Sequence, residues 1–209
     1  MPTAGDGPGG PRSLLPMSPA PIPESAILQP AGEAEWEQWL EAHEDATEVW
    51  LKLGKKGCPH PSITYVQALE IALCFGWIDG QIRGLDEHFT LRRFTPRRPR
   101  SKWSQINREH IERLTAAGRM RPRGLAEVEA AKADGRWDAA YAPASTITVP
   151  DDLRAALDAH PQAAAFFETI TGGDRYAFLY RLHHVTDPAK REARIADYIE
   201  RLSAGRTLG

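Results

Sequence analysis

Six cations crowd one short stretch of the chain: Arg92, Arg93, Arg97, Arg98, Arg100 and Lys102, interleaved with Phe94 and followed by Trp103. Guanidinium groups bind phosphate and carboxylate bidentately. The run also leads into a predicted helix start, where free backbone N–H groups favour negative charge. Those residue types in that order suit an anion. The plainer alternative is a solvated basic loop that pairs with acidic helices of the same protein. Asp79, in Trp77-Ile78-Asp79-Gly80, could orient Arg92, Arg93 or Arg97, or act as a base if burial raised its pKa. A carboxylate at a turn or strand end beside a glycine is the simpler reading and carries more weight.

The other reactive residue types do not converge. Cys58-Pro59-His60 reads as a turn. His183 and His184 would point about 100° apart on a helix, too far to chelate one ion together. Metal sites need three or four convergent ligands, so no metal and no cofactor is expected. A phosphate-binding glycine loop, a dinucleotide fingerprint, HExxH and a nucleophile elbow are all missing. Catalytic residues can converge without a local motif, but none is assigned here, and binding is favoured over catalysis.

The elements that would position these groups follow from periodicity. Prolines at 2, 8, 11, 16, 19, 21, 23 and 30 interrupt the N-terminus, so 1–30 is read as a disordered Pro/Gly-rich tail. Apolar spacing predicts a helix over 33–44, a strand over 48–53, and a helix over 64–75 with Ser62 or Thr64 as cap and Gly76 as stop. Alternation then predicts two antiparallel strands, 77–83 and 88–94, joined as a hairpin. Residues 95–101 hold two prolines and should leave the sheet, with Ser101 capping a helix over 102–117 whose buried stripe is Ile106, His110 or Ile111, and Leu114. A helix over 125–133 comes next, with Trp137 and Tyr141 folding back towards the core. After a linker over 142–150 the chain reads as helices at 151–159, 161–171, 174–184 and 188–204, the last opened by Asp187-Pro188. The fold class is α+β: a small antiparallel sheet packed with helices over 31–145, followed by an all-helical C-terminal segment over 146–209.

Composition agrees with a globular chain. Of 209 residues, 42% are hydrophobic and 26% charged, enough for a substantial core. The net charge of −2 hides an asymmetry, because Arg83 to Arg123 holds twelve Lys or Arg against four Asp or Glu, a balance of +8 that leaves −10 elsewhere. One basic block on an otherwise acidic protein attracts phosphates or anionic surfaces. Two cysteines cannot form a disulfide framework, and Cys74, inside the apolar run Ile71 to Phe75, is expected to be a buried thiol. No apolar run reaches the ~20 residues a membrane span needs. The first thirty residues lack the apolar core of a signal peptide, so a cytoplasmic location is expected.

Four stretches together resemble the YdeI/OmpD-associated, bacteriocin-protection family: Trp36-Glu37-Gln38-Trp39-Leu40, Val49 to Lys56, Ala68 to Gly80, and Arg93 to Ser104. Asn107, Gly118, Met120, Pro122, Gly124, Leu125, Ala131, Lys132 and Gly135-Arg136-Trp137 continue the pattern, and the resemblance extends over about 30–209. It implies bacteriocin protection and association with an outer-membrane porin, and it brings no catalytic residues. A porin-linked role requires export, for which no signal is read. The reading that results is a non-enzymatic stress or bacteriocin-protection-type protein that binds an unidentified anionic partner through Arg92, Arg93, Arg97, Arg98, Arg100, Lys102 and Trp103, with Asp79 beside them. Two alternatives stay open: a nucleic-acid-binding module, and an enzyme or sensor for a small phosphorylated or carboxylated ligand.

Overall fold

A computed structural model describes residues 21–208. The sheet has four strands in the order β1-β2-β4-β3: β1 (Ile27–Leu28), β2 (Val49–Gly54), β3 (Trp77–Gly84) and β4 (Phe89–Pro96). β2, β4 and β3 run antiparallel, whereas β1 lies parallel to β2 with Ile27 opposite Trp50 and Leu28 opposite Leu51. The sheet is therefore mixed, not wholly antiparallel. A strand also falls within the stretch read as tail, of which residues 1–20 lie outside the described residues. Two residues cannot display an alternating pattern, so periodicity could not have found this strand.

The helix α1 (Glu33–Ala42) lays Trp36 and Leu40 against the sheet, and the Trp36 indole N–H donates to Ala68 O at 3.1 Å. α2 (Tyr65–Cys74) starts at a capping box, in which Thr64 Oγ1 accepts from Gln67 N and Gln67 Oε1 accepts from Thr64 N. Its apolar residues serve two cores. Ala68, Ile71 and Ala72 pack with α1 and the sheet, while Leu69, Leu73 and Cys74 face the next layer, which explains the nearly unbroken apolar run. Burying a side chain such as Ile71 contributes about 1.5–3 kcal/mol. The Cys74 thiol is buried as expected, and that burial pushes its pKa up to about 11.

Gly76, at φ 75°, turns the chain from α2 into β3. β4 continues to Pro96, paired with Trp77, two residues beyond the predicted strand end; proline is tolerated here because its nitrogen faces the β2 side, where pairing stops at Val49 opposite Phe94. α3 (Gln105–Ala116) is capped by Ser104, whose Oγ accepts from Asn107 N at 3.1 Å. The predicted cap, Ser101, instead uses its hydroxyl to accept from Arg98 N at 2.9 Å, and this moves the helix start three residues on. Ile111 and Leu114 are buried along α3, but Ile106 is 42% exposed. α4 (Pro122–Ala133) begins at Pro122 and crosses α2 so closely that Gly124 abuts the Cys74 carbonyl. Trp137 returns onto Trp103, ring centroids 5.0 Å apart, within the second core.

The last four helices, α5 (Asp151–Asp158), α6 (Pro161–Thr169), α7 (Gly172–His183) and α8 (Pro188–Ser203), enclose a separate core of Leu153, Phe167, Phe178, Leu182 and Tyr198. Asp187 caps α8 by accepting from Lys190 N at 2.9 Å, with Pro188 at the first helical position. Tyr141, Tyr176, Tyr180 and His184 pack edge to face or tilted where this bundle meets the rest of the chain.

Candidate functional site

Successive residues of a strand point to opposite faces, so Arg92 and Arg93 part company on β4. Arg92 donates Nη1 to Asp79 Oδ2 at 3.1 Å and lies 4.2 Å from the centroid of the Tyr65 ring. Tyr65 O–H donates to the same Asp79 oxygen at 2.9 Å. Arg93 instead forms a two-pronged pair with Glu48, donating through Nε at 3.0 Å and through Nη2. The more exposed Arg93–Glu48 pair contributes up to about 1 kcal/mol. Both guanidiniums are engaged within the protein.

Arg97 is 5% exposed and stacks on Trp103 with its Cζ 3.5 Å from the ring centroid. Its backbone N–H donates to Gly76 O and its Nη1 to Lys102 O. Burial lowers its pKa to about 10, with the Glu127 charge pulling the other way, so it stays cationic at neutral pH. Its Nε and Nη2, and the Trp103 indole N–H, meet no acceptor among the described residues. Trp103 is itself 2% exposed and belongs to the core. The Arg97–Trp103 pair is thus an internal anchor, out of reach of a partner.

That anchor holds a turn. Ser101 N donates to Arg98 O at 2.9 Å, which closes a β-turn over Arg98-Pro99-Arg100-Ser101. Proline fixes φ near −65° at the second position, and Arg100 follows at φ 67°, the only non-glycine with positive φ among the described residues. This is the type II pattern, whose third position normally takes glycine or asparagine. Two arginines clamp the turn's exit, Arg97 on the Lys102 carbonyl and Arg136 on the Ser101 carbonyl at 2.9 Å. Arg98, Arg100 and Lys102 are left exposed on this clamped turn. Lys102 Nζ hangs over the Tyr180 ring at 5.3 Å, and partial desolvation lowers its pKa. A rigid, three-cation display is suited to charged hydrogen bonds with phosphate or carboxylate oxygens.

The eight residues picked out in the sequence therefore divide three ways. Arg92, Asp79 and Arg93 are paired in the sheet, Arg97 and Trp103 are buried, and Arg98, Arg100 and Lys102 are displayed. Asp79 faces a different feature, a cleft of about 470 Å³ between α2, the start of α3, residues 141–144 and α7. Tyr65, Asn107, His110, Tyr141 and Tyr176 also line it, and none of them was picked out from the sequence as a site residue. They come from distant stretches with no shared spacing. Among the described residues there is no cluster of three or more His, Cys, Asp or Glu able to hold a metal, and no helix is long and apolar enough to cross a membrane.

Comparison with known families divides the chain in two. Residues 28–127 match a domain of unknown function, DUF8412, and residues 146–205 match the family described as bacteriocin-protection, YdeI or OmpD-associated. The stretches that carry the resemblance, Trp36 to Ser104, lie inside the first match, and the family named by that resemblance is matched by the helical C-terminal segment. No curated protein and no solved structure matches the chain.

Proposed function

With residues 146–205 matching the bacteriocin-protection, YdeI or OmpD-associated family, we propose that the protein is a bacteriocin-protection-type binding protein that captures an anionic group of a partner on the turn Arg98–Lys102. The observation that carries this reading is Arg100 at φ 67°. A side chain held where glycine is easier costs stability, and such positions cluster at functional sites. Arg98 and Lys102 flank it on a turn whose carbonyls are clamped by buried or half-buried arginines, so little ordering is left to be done on binding. The free thiols Cys58 and Cys74 suit the reducing cytoplasm, the proposed compartment.

Arg92, Arg93, Arg97 and Trp103 support the turn or the sheet and do not contact the partner. The direct test replaces Arg98, Arg100 and Lys102 together with alanine and titrates inorganic polyphosphate and single- and double-stranded oligonucleotides at two salt concentrations. Exposed charge pairs of about 0.5–1 kcal/mol each predict a ten- to hundredfold loss of polyphosphate affinity in the triple variant. Equal affinity in the parent and the triple variant would sink the reading. Oligonucleotides binding far more tightly than polyphosphate of equal charge would make the protein a nucleic-acid module instead, with the steep salt dependence that implies.

A further inference from the structure

The cleft beside Asp79 has a different chemistry from the turn. Its size, about 470 Å³, falls within the ~300–1,000 Å³ of small-molecule sites. On its floor, Asp79 Oδ2 takes the Tyr65 hydroxyl and Arg92, and the Arg92 guanidinium also covers the Tyr65 ring. The carboxylate is therefore matched by a cation, and the aromatic face that could hold another cation is occupied. A cationic ligand would meet Arg92, and an anionic one would meet Asp79.

Uncharged hydrogen bonding remains open. Among the described residues Asp79 Oδ1 takes no bond, and the Asn107 carboxamide and the Tyr65 oxygen lone pairs face no protein donor. The Tyr141 phenol is raised in pKa by burial and stays a neutral donor. The mouth is apolar. Six large hydrophobics are exposed among the described residues, and three of them, Tyr65 at 37%, Val66 at 50% and Ile106 at 42%, surround this one opening. Their gathering here is what marks the cleft as a site, since singly scattered apolar residues would need no explanation.

We propose that this cleft binds a neutral polyhydroxylated ligand, a sugar or a polyol of similar size. The C–H face of the ligand lies against Val66, Ile106 and a tyrosine ring, and its hydroxyls donate to Asp79 and exchange hydrogen bonds with Asn107. This site is independent of the anion-binding turn.

Saturation-transfer NMR on the full chain tests it with a panel of neutral hexoses, pentoses and disaccharides, alongside choline and inorganic phosphate. Val66→Arg fills the mouth from an exposed position that the fold does not depend on. At least one neutral sugar is expected to give a signal that Val66→Arg abolishes. Asn107→Ala should weaken it about tenfold, the loss of one or two hydrogen bonds, and the triple-alanine turn variant should leave it unchanged. Silence across the neutral panel, a sugar signal that survives Val66→Arg, or binding of choline or phosphate lost on Val66→Arg would each overturn the proposal.

Discussion

Replacing Arg100 separates the strain in the turn from its use. A β-carbon in the left-handed region costs about 1–2 kcal/mol, and Arg100 carries one at φ 67°. Glycine removes that cost but loses more backbone freedom on folding, which offsets about 0.5–1 kcal/mol. Arg100→Gly should therefore stabilise the protein by about 0.5–1 kcal/mol, a rise in Tm of about 1–4 °C for a chain of this size. Arg100→Ala keeps the β-carbon and should leave Tm where it is. Both lose the same guanidinium, so both should bind polyphosphate about two- to fivefold more weakly. Calorimetric melting and isothermal titration on the three proteins give the two readouts. A Tm for Arg100→Gly at or below that of Arg100→Ala would refute the strain. Parent-like binding by Arg100→Ala would remove Arg100 from the site.

Three further outcomes are expected. A β-carbon at Gly124 would sit 2.2 Å from the Cys74 carbonyl oxygen and 2.9 Å from that of Leu73, so Gly124→Ala should cost about 2–3 kcal/mol in urea unfolding; a loss under about 1 kcal/mol would mean α2 and α4 slide apart easily. Thr64→Ala removes half of the α2 capping box and should cost about 1 kcal/mol by the same measurement. Burial, together with Lys102 and His183, lowers the His184 pKa from 6.5 to about 4. The unfolded chain thus takes up a proton before the folded one, and stability present above pH 6.5 should fall as the pH drops towards 4. His184→Gln should flatten that part of the Tm-against-pH curve, and an unchanged slope would exclude His184 as its source.

The parts legible in the sequence are those fixed by near neighbours. Thr64 with Gln67 and Gly76 bracket α2 within thirteen residues, the β3–β4 hairpin follows from alternation around a short turn, and Asp187-Pro188 opens α8. Choices between equivalent local signals went the other way. Ser101 and Ser104 could both cap α3, and the bond from Arg98 N decided it by occupying Ser101. The basic run gave the location of the turn but not the fate of its cations. The pleat of β4 sends Arg92 and Arg93 to different acids, and Trp103 draws Arg97 into the core. The cleft was illegible because Tyr65, Asp79, Asn107, Tyr141 and Tyr176 are joined only by the packing of α2, α3 and α7.

The parallel pairing of Ile27–Leu28 with Trp50–Leu51 has a bearing on solubility. Without it, β2 would be the sheet's border, offering the unpaired amides and carbonyls of the apolar sequence Val49-Trp50-Leu51-Lys52-Leu53 to any other chain. The opposite border, β3, is blunted by the irregularity between Asp79 and Ile82. The two-residue strand thus acts as a cover against strand-to-strand aggregation, and a chain begun at residue 31 would expose the border it protects.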